Sequence, residues 1–149
     1  MADEYQRGEY VISTDPARID VAVVHGFLHA SYWSPGIPRD VVERAIAGSL
    51  NFGLYRGDAQ IGFARVATDY ATFGYVMDVF VLPEHRGKGL ALWLMECILS
   101  HPRLQGFRIW RLATRDAHGL YEKAGFTRVA NPDALMEIND PDVYVRPHA

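Results

Sequence analysis

The tightest constraint on how this chain folds lies in the run Val79-Phe80-Val81-Leu82-Pro83-Glu84-His85-Arg86-Gly87-Lys88-Gly89-Leu90-Ala91. An apolar, β-branched stretch breaks at a proline, passes two glycines flanked by Arg86 and Lys88, and enters an apolar, helix-forming run. Strand, turn and helix in that order make an anion site. The first turn of a helix has backbone N–H groups without internal partners, and the helix dipole puts partial positive charge there. Gly87 and Gly89 remove two Cβ atoms, so the backbone can wrap closely around a diphosphate, while Arg86 and Lys88 add charge at its edge. Neither of two common phosphate loops fits the spacing. A P-loop needs four residues between its glycines, and only Lys88 separates Gly87 from Gly89. A dinucleotide fingerprint of Rossmann type needs a third glycine where Leu92 stands. The remaining alternative is a glycine-softened helix start at the surface.

The order of elements around this junction narrows the architecture. Tyr10 to Ser13 reads as a short strand, and Asp15-Pro16 as a helix start, the helix running to about Ser31. Val23, Val24, Phe27 and Leu28 share one arc of it, with His25 and His29 on the other side. Pro38 opens a second short helix that closes near Gly48. From Phe52 the period becomes that of strands: Phe52 to Arg56, a turn at Gly57-Asp58, and Ala59 to Thr68 form a hairpin, followed by Phe73 to Val81. Leu90 to about Ser100 is a helix apolar on nearly every side except Glu96 and stopped by Pro102, the pattern of a helix buried between layers. Phe107 to Ala113 is a strand, Ala117 to Ala124 a helix ended by Gly125, and short strands are expected around Thr127 to Val129 and Leu135 to Ile138. This order predicts one α/β domain over residues 1–149, with a mixed sheet.

Two motifs carry a resemblance to a known family. Arg86-x-x-Gly89-x-Ala91 follows a strand ending Val81-Leu82-Pro83, and about thirty residues later comes Leu120-Tyr121-Glu122-Lys123-Ala124-Gly125-Phe126. Over roughly Phe52 to Val129 the chain resembles the GNAT superfamily of acyl-CoA-dependent N-acetyltransferases. The resemblance implies a mostly antiparallel central sheet of about six to seven strands flanked by about four helices and splayed at a cofactor cleft. It implies acetyl-CoA as cofactor, its pyrophosphate on Arg86, Gly87, Lys88, Gly89, Leu90 and Ala91, its pantetheine paired with the backbone of Val79, Phe80 and Val81. The activity implied is acetyl transfer from acetyl-CoA to a primary amine by direct attack in a ternary complex; no positioned Cys or Ser argues for a covalent intermediate. The alternative is a non-catalytic acyl-CoA-binding or regulatory module of the same fold.

Such chemistry needs a neutral amine, a polarised carbonyl and a proton for the leaving thiolate. Tyr121 sits early in a helix where the matching tyrosine of the family lies near the cofactor sulfur, which makes it the general-acid candidate; otherwise it is an aromatic wedge between helix and sheet. Asp78 is the base candidate, because a lone charge inside the apolar strand Tyr75 to Val81 must face water, a cleft or a paired cation. Solvated exposure on the sheet is its alternative. His118, one turn before Tyr121, is a further base or site-shaping candidate, or else a surface histidine. Tyr32, Trp33 and Arg39 fall in the region where the family lines its acceptor pocket: aromatics stack on a cation or apolar group, and Arg39 can grip a carboxylate, while Trp33 reads equally as core.

Composition bounds the partners. Net charge is -3 with Lys and Arg scattered, so no basic stripe offers itself to nucleic acid. His25 and His29 have metal-ligand spacing, but Gly26 stands where a zinc protease motif needs Glu, and no metal is expected. The single cysteine, Cys97, reads as core filler and suits a reducing cytoplasm. No apolar run approaches the roughly 18 residues a membrane span needs, so no membrane partner is expected. The acceptor is expected to be a small-molecule amine or a peptide amine, and a homodimer is compatible with the aromatic, proline-bearing ends.

Overall fold

Among the described residues six strands form one sheet in chain order: β1 (Glu4–Arg7), β2 (Tyr10–Ser13), β3 (Leu50–Arg56), β4 (Ala59–Thr68), β5 (Phe73–Val81) and β6 (Ile109–Arg111). The computed structural model describes residues 2–147. Each neighbouring pair is antiparallel except β5 with β6, which is parallel because the chain crosses over through a helix. The helices are α1 (Val21–His29), α2 (Arg39–Ala47), α3 (Leu90–Ser100) and α4 (His118–Lys123). Among the described residues no helix is long and apolar enough to cross a membrane.

Strand alternation divides the core into two layers. On β4, Phe63 faces one side with Phe80 of β5 and packs on Val24, Leu28 and Val42 of α1 and α2. Ala64 and Val66 face the other side, where α3 buries Leu90, Trp93, Leu94, Met95 and Ile98. This explains why α3 reads as apolar all round: the sheet takes one side and α4 with the β6 region takes part of the other.

Several sequence expectations need correction. The expected helix from Asp15 is two pieces, a single 3-10 turn at Pro16–Arg18 and then α1. Ile19 is extended, and Asp20 supplies a second cap by accepting hydrogen bonds from the amides of Ala22 and Val23. β1 was not expected; its polar residues sit on an edge strand paired only to β2. The strand expected from Phe107 to Ala113 is three residues long. Thr127 to Val129 and Leu135 to Ile138 are not strands, since no neighbouring backbone pairs with them. Met136 and Ile138 are 97% and 104% exposed as a result, and β6 keeps an open edge.

Candidate active site

The sheet opens beside β6. β5 and β6 pair only over Phe73 to Tyr75 with Ile109 to Arg111, and beyond Tyr75 the two strands part. At the paired end the Trp110 ring covers Gly74 so closely that a Cβ there would lie 2.6 Å from it. At the open end β5 carries a bulge: Phe63 faces Phe80 and Arg65 faces Met77, so Asp78 and Val79 share the single partner position of Ala64. Asp78 takes the left-handed conformation, φ 56°, which Asp and Asn tolerate better than other residues with side chains. Between the parted strands lies a cleft of about 520 Å³, walled by Tyr75 to Val79 on one side, Leu112 to Ala117 on the other, and by Tyr32, Trp33 and Tyr121.

Asp78 is the buried charge of this cleft, its side chain only 8% exposed. One carboxylate oxygen accepts from the Trp33 indole N–H at 2.8 Å and the other from Arg65 Nε at 2.6 Å. Arg65 also donates from Nη1 to Ser49 Oγ at 3.2 Å. The charge inside the apolar strand thus faces both a cleft and a paired cation, two of the three environments the sequence allows it.

Tyr121 comes from the first turns of α4 and is half-buried in the cleft wall. Burial pushes its phenol above the usual range, with the neighbouring Tyr32 adding to the rise, so the hydroxyl keeps its proton throughout the neutral range. Across the mouth, the Arg115 guanidinium stacks on the Tyr32 ring, 3.7 Å from its centroid, and the Arg115 amide donates to the Tyr32 hydroxyl at 3.3 Å. These contacts link the α1–α2 connection to the loop after β6. His118 lines an adjoining groove along the open edge of β6, which shares Leu112, Ala113, Thr114 and Tyr121 with the cleft; His118 itself is not part of the cleft wall. Arg39 is likewise outside the cleft: on the exposed side of α2 it pairs with Glu43 one turn on, Nε to Oε1 3.1 Å.

A second concavity, of about 340 Å³, lies at the start of α3 and is lined by Val81, His85, Arg86, Gly87, Gly89, Leu90, Ala91, Leu92, Leu120 and Lys123. Gly87 and Gly89 stand at φ 80° and 73°, conformations that glycine alone adopts freely. Among the described residues no side chain caps α3, in contrast to Asp20 at α1; the first bond of its ladder runs from the Trp93 amide to the Gly89 carbonyl. The amides of Leu90, Ala91 and Leu92 therefore open into the groove, the arrangement that suits a diphosphate. Arg86 turns back, its Nε donating to the Val81 carbonyl at 2.9 Å, and so pins the loop to the end of β5. Lys88 points elsewhere, to the Tyr10 hydroxyl at 3.3 Å.

Cleft and groove share two elements. β5 contributes Val79 to the first and Val81 to the second, and α4 contributes Tyr121 to the first and Leu120 and Lys123 to the second. Phe80 is between them, but its ring stacks on Phe27 at 4.1 Å in the core, leaving only its backbone for a ligand. Of the sequence-derived candidates, Asp78, Tyr121, Tyr32 and Trp33 meet in the cleft, and the loop residues other than Lys88 meet in the groove. Arg65, Tyr75, Arg115 and Lys123 join the site beyond those candidates. Arg65 had a signal, a lone cation in an apolar strand to match the lone anion Asp78; Lys123 had one in its i, i+3 spacing from Leu120.

Known proteins share the sequence pattern and the fold. A family model described as "Acetyltransferase (GNAT) domain" matches residues 47–128. A candidate acetyltransferase of Gibberella zeae is 33% identical over 91% of this chain and 89% of its own length. The crystal structure of a GNAT-family candidate acetyltransferase from Xanthomonas campestris pv. campestris superposes with a TM-score of 0.89 at 47% identity, covering 92% of this chain and 97% of that one. A candidate acetyltransferase from Clostridium acetobutylicum, in a crystal structure with acetyl-CoA, shares the fold with a TM-score of 0.66 at 18% identity over 93% of this chain and 96% of that one.

Proposed function

Because this chain belongs to the GNAT acetyltransferase family, we propose that it transfers an acetyl group from acetyl-CoA to a primary amine bound in the cleft between β5 and β6. The observation that carries the reading is the uncapped start of α3 opening into a groove that adjoins an aromatic cleft through shared elements. In this reading the amides of Leu90 to Leu92 and the Lys123 ammonium hold a diphosphate, and the glycines let the backbone approach it. The backbone of Val76 to Val81, which β6 does not pair, offers donors and acceptors to an extended amide chain. When bound, acetyl-CoA supplies a thioester carbon open to attack by an amine. Tyr121 holds a phenolic proton at the cleft wall and can give it to a departing thiolate as charge develops there, the proton that the attacking amine loses restoring the phenol. Tyr32, Trp33 and Tyr75 give the cleft an aromatic wall. Direct transfer is the simpler route because Cys97 is buried in α3 and lines neither concavity.

Calorimetric titration with coenzyme A, followed by thiol release from acetyl-CoA across an amine panel, tests this. Saturable binding and amine-dependent release are expected, with Tyr121→Phe cutting turnover about a hundredfold while coenzyme A still binds. Binding with no release for any amine would mark a non-catalytic acyl-CoA module; no binding would reject the groove.

A further inference from the structure

We propose that Arg65 and Asp78 are positioning residues that hold the Trp33 indole in place as the wall on which the acceptor amine packs. This rests on the reading of the β5–β6 cleft as the acceptor site. Trp33 belongs to the connection between α1 and α2, where no regular structure restrains it, and it is 40% exposed. Its ring touches other aromatics, Tyr32 at 5.1 Å and Phe27 at 6.1 Å between centroids, contacts that orient it loosely. The directional restraint is the indole N–H bond to Asp78, from a loop to the bulge of a strand 45 residues away. A charged acceptor makes that bond stronger than a neutral one would.

The bulge explains why Asp78 can reach. An ordinary strand residue would point to one face of the sheet in register with its neighbours, whereas the left-handed turn at Asp78 redirects its carboxylate. Arg65 then fixes the carboxylate from the next strand and is itself tied to Ser49 at the end of α2. The chain Ser49–Arg65–Asp78–Trp33 links α2, β4, β5 and the α1–α2 connection, so the position of one exposed ring is set by the packed sheet. Both oxygens of Asp78 serve as acceptors in this chain of bonds, one toward the loop and one toward β4. In this proposal Asp78 positions Trp33, a role distinct from that of the general base its place in the strand suggests.

The test uses the full-length protein and three variants. In D78N one acceptor oxygen must serve two donors, and Asn still tolerates the left-handed backbone. R65K keeps the charge but not the fork that reaches Asp78 and Ser49 together. W33F keeps an aromatic ring and removes the N–H. With 15N-labelled protein, the Trp33 indole N–H resonance, assigned by its loss in W33F, should shift and exchange faster with water in D78N and R65K; an unmoved resonance overturns the proposal. In thiol-release kinetics with the amine the wild-type protein uses best, each single variant should raise the acceptor KM about tenfold and leave the acetyl-CoA KM and the shape of the pH–rate profile unchanged. D78N/W33F should be no worse than either single variant, because both remove the same tether. Collapse of kcat with an altered pH profile in D78N, beside a normal W33F, would make Asp78 the base and overturn the proposal. Should the wild-type protein turn over no amine, the transfer reading fails on its own, while the indole resonance still decides whether Asp78 and Arg65 hold Trp33.

Discussion

Gly89→Ala separates the backbone contribution of the anion groove from every side-chain effect. Gly89 caps α3 at φ 73°, and a Cβ built there meets nothing within 4 Å, so no steric clash enters. What remains is the cost of placing an L-residue in the left-handed region, about 1–2 kcal/mol, offset by about 0.4–1 kcal/mol from the stiffer unfolded chain. The net loss, about 0.8 kcal/mol at the middle of a range of about 0–1.6 kcal/mol, lowers Tm by about 2–3 °C in a protein of this size. Gly26 is the matched control: it lies inside α1, its Cβ position is equally open, and its φ is not positive. Gly26→Ala should therefore stabilise by about 0.5–1 kcal/mol, the opposite sign from the same chemical change. Binding is affected more than folding, since the added methyl stands in the groove where the diphosphate is to lie. Coenzyme A affinity should fall at least about tenfold, or 1.4 kcal/mol. Gly89→Asn divides the two effects: Asn recovers most of the Tm but keeps a Cβ, so affinity stays low. Thermal unfolding by circular dichroism and titration calorimetry read both quantities. A Gly89→Ala protein with wild-type Tm would refute the backbone argument, and one with lowered Tm but intact affinity would move the diphosphate elsewhere.

Lys123→Ala should weaken coenzyme A binding about three- to tenfold with a shallower salt dependence and leave Tm unchanged, because Lys123 lines the groove at the end of α4; wild-type affinity at low salt would remove it from the site. Burial pushes the Cys97 thiol up to about 11, Arg7 opposing and Glu96 adding, so the folded protein should give no colour with a disulfide reagent at pH 8 and one thiol per chain in guanidinium. Rapid reaction of the native protein would contradict that burial. Gly74→Ala should destabilise by about 1–3 kcal/mol and loosen the closed end of the cleft, since the new methyl displaces the Trp110 ring; an unchanged unfolding midpoint in urea would count against it.

The parts of the fold and site that the sequence discloses are those carried by local chemistry. The hairpin β3–β4 follows from Gly57-Asp58 between alternating runs, the buried α3 from its all-round apolarity, and the groove from two glycines at a strand–helix junction. Each of these signals lies within about ten residues, short enough for backbone sterics and side-chain period to act without help from the rest of the chain. Where the sequence reading misplaced a feature, long-range pairing decided it. β6 is three residues long because its pairing with β5 ends at Tyr75 and Arg111, and the C-terminal runs are not strands because, among the described residues, no backbone pairs with them. Lys88 and Arg86 look equivalent beside their glycines, yet one reaches back to Val81 and the other across to Tyr10 on a distant strand. The same holds for Asp78: sequence marks it as a charge needing a partner, and only tertiary packing brings Arg65 and Trp33 to it. Local periodicity determines which segments become helix or strand; the meeting of residues 13 and 45 positions apart is a property of the closed sheet, where twist and bulge set the directions of side chains.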